Sequence, residues 1–271
     1  MGSMTSPRST VLKAMDALVM VLSSLMGLVA FLYPFFMKDL QQFNGPHAAA
    51  HAQDAPLVFT LLVLFAFGGV MGNMSLGGMD AKTVSLMAIL GTFGAVMRFL
   101  PGPGGFSGLF FVPILGGYVF GPTFGFLLGN VALLISAFMG GGVGPWVPYQ
   151  MLVTGWVGMA SGWLPRFSTR SRSLAWMLAG WGILSGYLYG FVMNLWFWPF
   201  LYSPGASAIY WHPGLGVWDA VKRYVSFYLV TSLAWDSGRA IGNALLLFFA
   251  GIPVVKLLGR FAERFYFVVE G

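Results

Sequence analysis

No cysteine occurs in the 271 residues. Disulfides, thiol nucleophiles and Cys-ligated zinc or iron–sulfur sites are therefore excluded, while the redox compartment stays open. Charge is almost as scarce: Asp, Glu, Lys and Arg make up 8% of the chain, against roughly a quarter in a soluble domain. Three histidines are present, and no Walker phosphate loop, HExxH or GxSxG element occurs, so the common nucleotide, zinc-peptidase and serine-hydrolase chemistries have no anchor. An intramembrane hydrolase needs a nucleophile beside a base, or paired acids, and no such grouping stands out. The chain is read as a non-enzyme.

Hydrophobic residues account for 58% of the chain, in continuous runs without the alternation of a barrel strand, so the solvent for most of this surface is lipid. The runs fall near residues 13–37, 56–73, 83–100, 106–120, 123–140, 148–165, 174–200 and 222–257. They predict an all-α, polytopic membrane helix bundle of about eight transmembrane helices. The fourth run is short for a span and is flanked by PGPGGFSG and GPTFG; the last is overlong and is expected to tilt or break. No small-residue cleavage site follows the first run, which is read as a retained helix.

Basic residues orient the bundle, since cytoplasmic loops collect them. With the N-terminus inside, Arg8, Lys13, Lys82, Arg166, Arg170, Arg172, Lys256, Arg260 and Arg264 fall on the cytoplasmic side, and Lys38, Arg98, Lys222 and Arg223 on or near the outer side. Both termini are then cytoplasmic. The formal charge of +6 needs no nucleic acid to explain it.

Ionisable groups inside a span are costly and face a partner, a cavity or a pathway. Asp236 and Arg239 share a helix face in AWDSGRAIGN (234–243), with Asn243 one turn on. They either neutralise each other or contact a ligand or a coupled ion. Three other spans each carry a carboxamide, Asn130, Gln150 and Asn194, which either ties helices together or orients a polar ligand. GVGPWVPYQ (142–150) and GYLYGFVMNLWFW (186–198) bring Trp146, Tyr149, Asn194, Trp196 and Trp198 towards the outer side. They form either an aromatic and amide pocket or an interfacial aromatic belt. Small-xxx-small pairs, among them Gly91 with Ala95 and Gly158 with Gly162, suit close helix packing. Pro101, Pro103 and the glycines around them form a loop that is either a lid or an ordinary connector. His47 and His51 have the i, i+4 spacing of a helical metal site, yet HAAAHAQDAP reads more simply as a polar connector, so no metal is assigned.

From residue 82 onwards the order of elements resembles the S-components of energy-coupling factor (ECF) transporters, membrane proteins of six helices that capture vitamins and related micronutrients. The likeness rests on AKTVSLMAILGTFGA, the Gly/Pro-rich loop, GPWVPYQMLVTGWVGMASGWLP, GYLYGFVMNLWFW and SLAWDSGRAIGNALLLFFAG. The GPW, P-Q and MNLWFW elements look most like the branch proposed to carry cobalamin or its precursors. The resemblance implies a six-helix substrate-binding core (82–271) in the plasma membrane of a prokaryote; the chain departs from the family pattern in the N-terminal two-helix extension (1–81) that precedes it. The resemblance also implies a transmembrane coupling subunit and two ATPases as partners. ATP would be hydrolysed by those partners, no cofactor would be bound here, and ligand would bind on the outer face before the subunit topples to release it inside. Ala88, Gly91 and Ala95 match the small residues that dock on the coupling subunit. Trp146, Tyr149, Gln150, Asn194, Trp198, Asn130, Asp236, Arg239 and Asn243 are the candidate substrate contacts. A proton- or ion-coupled secondary transporter of a small polar solute is the alternative; it calls for a second buried acid or an internal repeat, and neither is found.

Overall fold

The computed structural model describes residues 7–37, 50–100, 102, 104–201 and 208–265. Among them are nine α-helices and no strand: α1 Pro7–Leu32, α2 Ala55–Ser75, α3 Ala81–Met97, α4 Phe111–Phe120, α5 Pro122–Ser136, α6 Val147–Ser161, α7 Arg172–Phe197, α8 Val217–Thr231 and α9 Leu233–Phe265. The protein is an all-α polytopic membrane bundle. Stretches of α1, α2, α5, α7 and α9 are long and apolar enough to cross a bilayer, whereas α3 and the Gly108–Phe120 stretch are shorter apolar helices.

Helix limits follow local chemistry. The Asp80 side chain accepts the Thr83 N–H at 2.8 Å and starts α3. Gly121, at φ +102°, ends α4, and Pro122 opens α5 directly afterwards. This short α4 is the fourth run of the sequence; Phe111 to Tyr118 are buried throughout, so it is a central strut enclosed by its neighbours. The overlong last run proves to be two helices. The chain breaks at Ser232 (φ −122°, ψ −27°), which separates the amphipathic α8, with only Tyr224, Phe227 and Tyr228 buried, from the long α9.

Glycines set how closely the helices approach. The Gly158 carbonyl of α6 lies where a methyl group on Gly117 of α4 or Gly125 of α5 would stand, at 2.0 and 2.2 Å, so three backbones meet there as in small-xxx-small packing. On α7, Gly182, Gly186 and Gly190 form a groove for α9. A methyl on Gly186 would come within 2.8 Å of Ala240 Cα, and one on Gly190 within 1.8 Å of the Asp236 carboxylate. Helices α1 and α2 form a hairpin, tied by Asn73 Nδ2 donating to Asp16 Oδ1 at 2.6 Å. The hairpin packs on α6, where the Trp156 indole N–H donates to Ser24 Oγ at 3.0 Å and the ring fills the space beside Gly27.

The helices run up and down, so the ends of α1, α3, α5 and α7 meet the starts of α2, α4, α6 and α9. We call this the Trp146 end. At the opposite end the Phe167 N–H donates to the Tyr118 hydroxyl at 3.1 Å, and Arg166 lies over the Tyr118 ring, 4.7 Å from its centroid.

Candidate ligand-binding end of the bundle

The candidate residues lie mostly at the Trp146 end, but they do not line one pocket. Tyr149 and Gln150 are neighbours on the first turn of α6, about 100° apart around the helix, and they face opposite groups. Tyr149 is fully buried and turns towards the segment before α2. Its hydroxyl meets His51 Nδ1 at 2.8 Å and donates to Asp54 Oδ2, which His51 Nδ1 also reaches at 2.8 Å. Gln150 turns to α3, where its Oε1 accepts from Arg98 Nη2 at 3.3 Å.

His51 corrects the reading of this segment as a plain polar connector. Its backbone takes φ +57°, unusual for a residue with a side chain, and its ring inserts among Tyr149, Phe200, Trp196 and Tyr33 at centroid distances of 4.6, 4.9, 5.7 and 5.7 Å. The space expected as an aromatic pocket between α6 and α7 is thus filled, with Trp146 and Trp196 edge to face at 6.5 Å. His47 lies outside the described residues, as do Pro101 and Pro103. Asp54 stands at the start of α2. Burial pushes its carboxyl up, but the hydrogen bond and charge of His51 and the hydrogen bond from Tyr149 outweigh this and hold it below the ordinary carboxylate value.

The remaining candidates are engaged elsewhere. Asn194 Nδ2 donates to Ser232 Oγ at 2.7 Å and ties α7 to the α8–α9 break. Trp198 belongs to a separate aromatic cluster with Trp211, Tyr224 and Phe227, and its indole N–H donates to the Ile209 carbonyl at 3.0 Å. Asn130 Nδ2 donates to Phe126 O of its own helix at 2.8 Å and packs against Gly155 of α6. Asn243 is buried in the α7–α9 seam beside Gly182, with neither amide atom bonded. Asp236 and Arg239 form the ion pair their spacing suggests, and the Arg239 guanidinium lies over the Tyr189 ring, 5.2 Å from its centroid.

Arg98, counted in the sequence only as an outer-side charge, is the functional candidate that reading passed over. It caps the C-terminus of α3 and turns into the bundle, where Nη1 donates to the fully buried Ser136 Oγ at 2.9 Å. The loop at residues 104–107 closes over the start of α9: Gly104 packs on Gly238, Gly105 on Trp235 and Phe106 on Gly242. An apolar crevice of about 250 Å³ opens at the same end between the starts of α2 and α6 and the end of α5, lined in part by Phe59, Leu134, Phe138 and Pro148.

Of the three residues matched to the docking face, Gly91 and Ala95 are buried, with Gly91 against Val131 of α5, while Ala88 is exposed. Gly91 and Ala95 serve packing inside the bundle. The outward face of α3 is instead Ala88, Ile89, Thr92, Phe93 and Val96, around a shallow groove.

Residues 82–254 match the family described as ECF transporter, substrate-specific component. The chain belongs to that family. No curated protein and no solved structure matches it. Membership in the ECF substrate-specific components makes the chain a membrane transport subunit, and the family implies association with a transmembrane coupling subunit and ATPases.

Proposed function

We propose that this chain is the specificity subunit of an ECF-type importer that takes up a vitamin or related micronutrient at the Trp146 end. In this reading the subunit stands in the plasma membrane of a prokaryote with both termini cytoplasmic, and residues 82–271 form the binding core behind a two-helix extension. Ligand passes inward when the coupling subunit engages α3 through the face around Ala88, and the ATPases hydrolyse ATP. The family match carries the reading; the Arg98–Gln150 contact and the Arg239–Asp236 pair, both at this end of the bundle, support the location. Cobalamin or a precursor is the substrate its GPW and MNLWFW elements favour. A corrinoid is far larger than the 250 Å³ crevice at this end, so it requires this end of the bundle to open.

The test is binding by the purified full chain in nanodiscs without ATP, read by native mass spectrometry, together with co-purification from the native host. Retention of a micronutrient and recovery with a coupling subunit and ATPases are expected, and Ala88→Trp should break the association while leaving ligand binding intact. A chain that stays solitary, with uptake that collapses only when the proton gradient is dissipated, would favour the secondary-transporter reading.

A further inference from the structure

Arg98 is the described cation whose environment calls for something the chain does not supply. Both of its hydrogen bonds go to neutral groups, Ser136 and Gln150. No carboxylate pairs with it among the described residues, whereas Arg239 has Asp236. The surroundings are shaped for the guanidinium. Helix α5 ends in a wide π-type turn over Ala137–Gly141, with Gly140 at φ +118°, a distortion that concentrates at functional sites. A methyl on Gly141 would stand 2.7 Å from both Arg98 Nη1 and the Ser136 carbonyl, so glycine keeps this turn open beside the guanidinium.

A purely structural role accounts for part of this. A cation at the C-terminus of α3 gains about 0.3–1 kcal/mol from the helix dipole. Arg98 is half-buried, so it bears part of the cost of drawing an unpaired charge away from water. Simple capping could also be met by a side chain extending to the interface, as Lys and Arg near helix ends do. Arg98 turns inward, towards a serine with no exposed surface, and keeps donors of its planar fork uncommitted.

We propose that Arg98 binds an anionic group of the transported ligand, a carboxylate or a phosphate, with Gln150 orienting the guanidinium. The inference rests on the substrate-binding role proposed above and narrows its ligand to an anion at neutral pH. Charge-assisted, bidentate pairing is the strong form of such recognition, and a lysine reproduces the charge without the fork.

The full chain in nanodiscs is incubated with a small-molecule extract of the native host and washed, and the retained molecules are identified by mass. The wild type is expected to retain a molecule bearing a carboxylate or phosphate, and its mass tells the two apart. For that molecule, Arg98→Gln should weaken binding about 100-fold and Arg98→Lys about 10-fold. Because Arg98→Gln removes a tie between α3, α5 and α6, a second measurement leaves the protein untouched: the neutral ester or amide of the same molecule should bind the wild type about 100-fold more weakly than the anion. Retention of a neutral or cationic molecule overturns the inference while leaving the binding role standing. So does equal affinity for the anion and its neutral derivative. Retention of nothing removes the binding role itself, and the inference with it.

Discussion

The hydroxyl of Tyr149 on α6 meets Nδ1 of His51, 98 residues earlier in the chain, at 2.8 Å, and both groups bond the same oxygen of Asp54. This triangle joins the segment before α2 to the start of α6 and holds the His51 ring where an aromatic pocket was expected. An opening of the space between α6 and α7 to a bulky ligand has to break it.

A double-mutant cycle measures the link. His51→Ala removes the ring and leaves the Tyr149 hydroxyl with Asp54 alone; Tyr149→Phe leaves the ring in place. Residues in one hydrogen-bonded network couple by about 0.5–3 kcal/mol, and a value in the upper half of that range is expected from reversible unfolding in mixed micelles. Strict additivity of the two substitutions would show that the Tyr149 hydroxyl does not hold His51.

Acid should loosen the same link. The folded protein holds the Asp54 carboxyl below its ordinary value, so its contribution is fully present above about pH 4, the usual carboxylate value, and is lost as the pH falls through the lowered folded value. The groups facing it are His51 and Tyr149, with Tyr33 close by. Asp54→Asn should therefore melt below the wild type at pH 7, and the gap should shrink as the pH is taken below 4. A gap that widens in acid would mean that the carboxylate is not the stabilising form.

The α7 groove makes a contrasting pair of substitutions. Gly190→Ala places a methyl 1.8 Å from the Asp236 carboxylate, and since overpacking a tight contact costs about 1–3 kcal/mol, a lower melting midpoint is expected. Gly180→Ala on the same helix meets nothing within 4 Å and should be neutral or gain up to about 1 kcal/mol from the reduced freedom of the unfolded chain. If both behave alike, close α7–α9 packing is not what Gly190 provides.

These contacts show where sequence reading reaches and where it stops. The spans and the Asp236–Arg239 pair were legible because run length, composition and i, i+3 spacing are local properties of the chain. The break at Ser232 was hidden because the apolar run continues across it, and a broken helix is as hydrophobic as a straight one. Tyr149 and Gln150 read as one site because adjacent residues look adjacent; the 100° step between them on α6 sends one to His51 and the other to Arg98. Gly91 and Ala95 carried the right size for docking, but size does not say which side of α3 they face. The inward turn of Arg98 depends on Ser136 and Gln150, 38 and 52 residues away, and nothing near Arg98 in the sequence announces it.

The absence of cysteine turns the orientation into a clean experiment, because a single introduced thiol is then the only reactive one. Val143 is exposed at the Trp146 end, and Ser168 is exposed in the basic loop between α6 and α7. With basic loops retained on the cytoplasmic side, Val143→Cys should react with a membrane-impermeant maleimide in intact cells, and Ser168→Cys only after permeabilisation. Neither position is buried or bonded to another helix, so folding should be unaffected and the comparison reads topology alone. The opposite pattern would place Arg98 and its partners on the cytoplasmic side, where they would meet a ligand at release rather than at capture, and the direction of transport proposed above would have to be reversed.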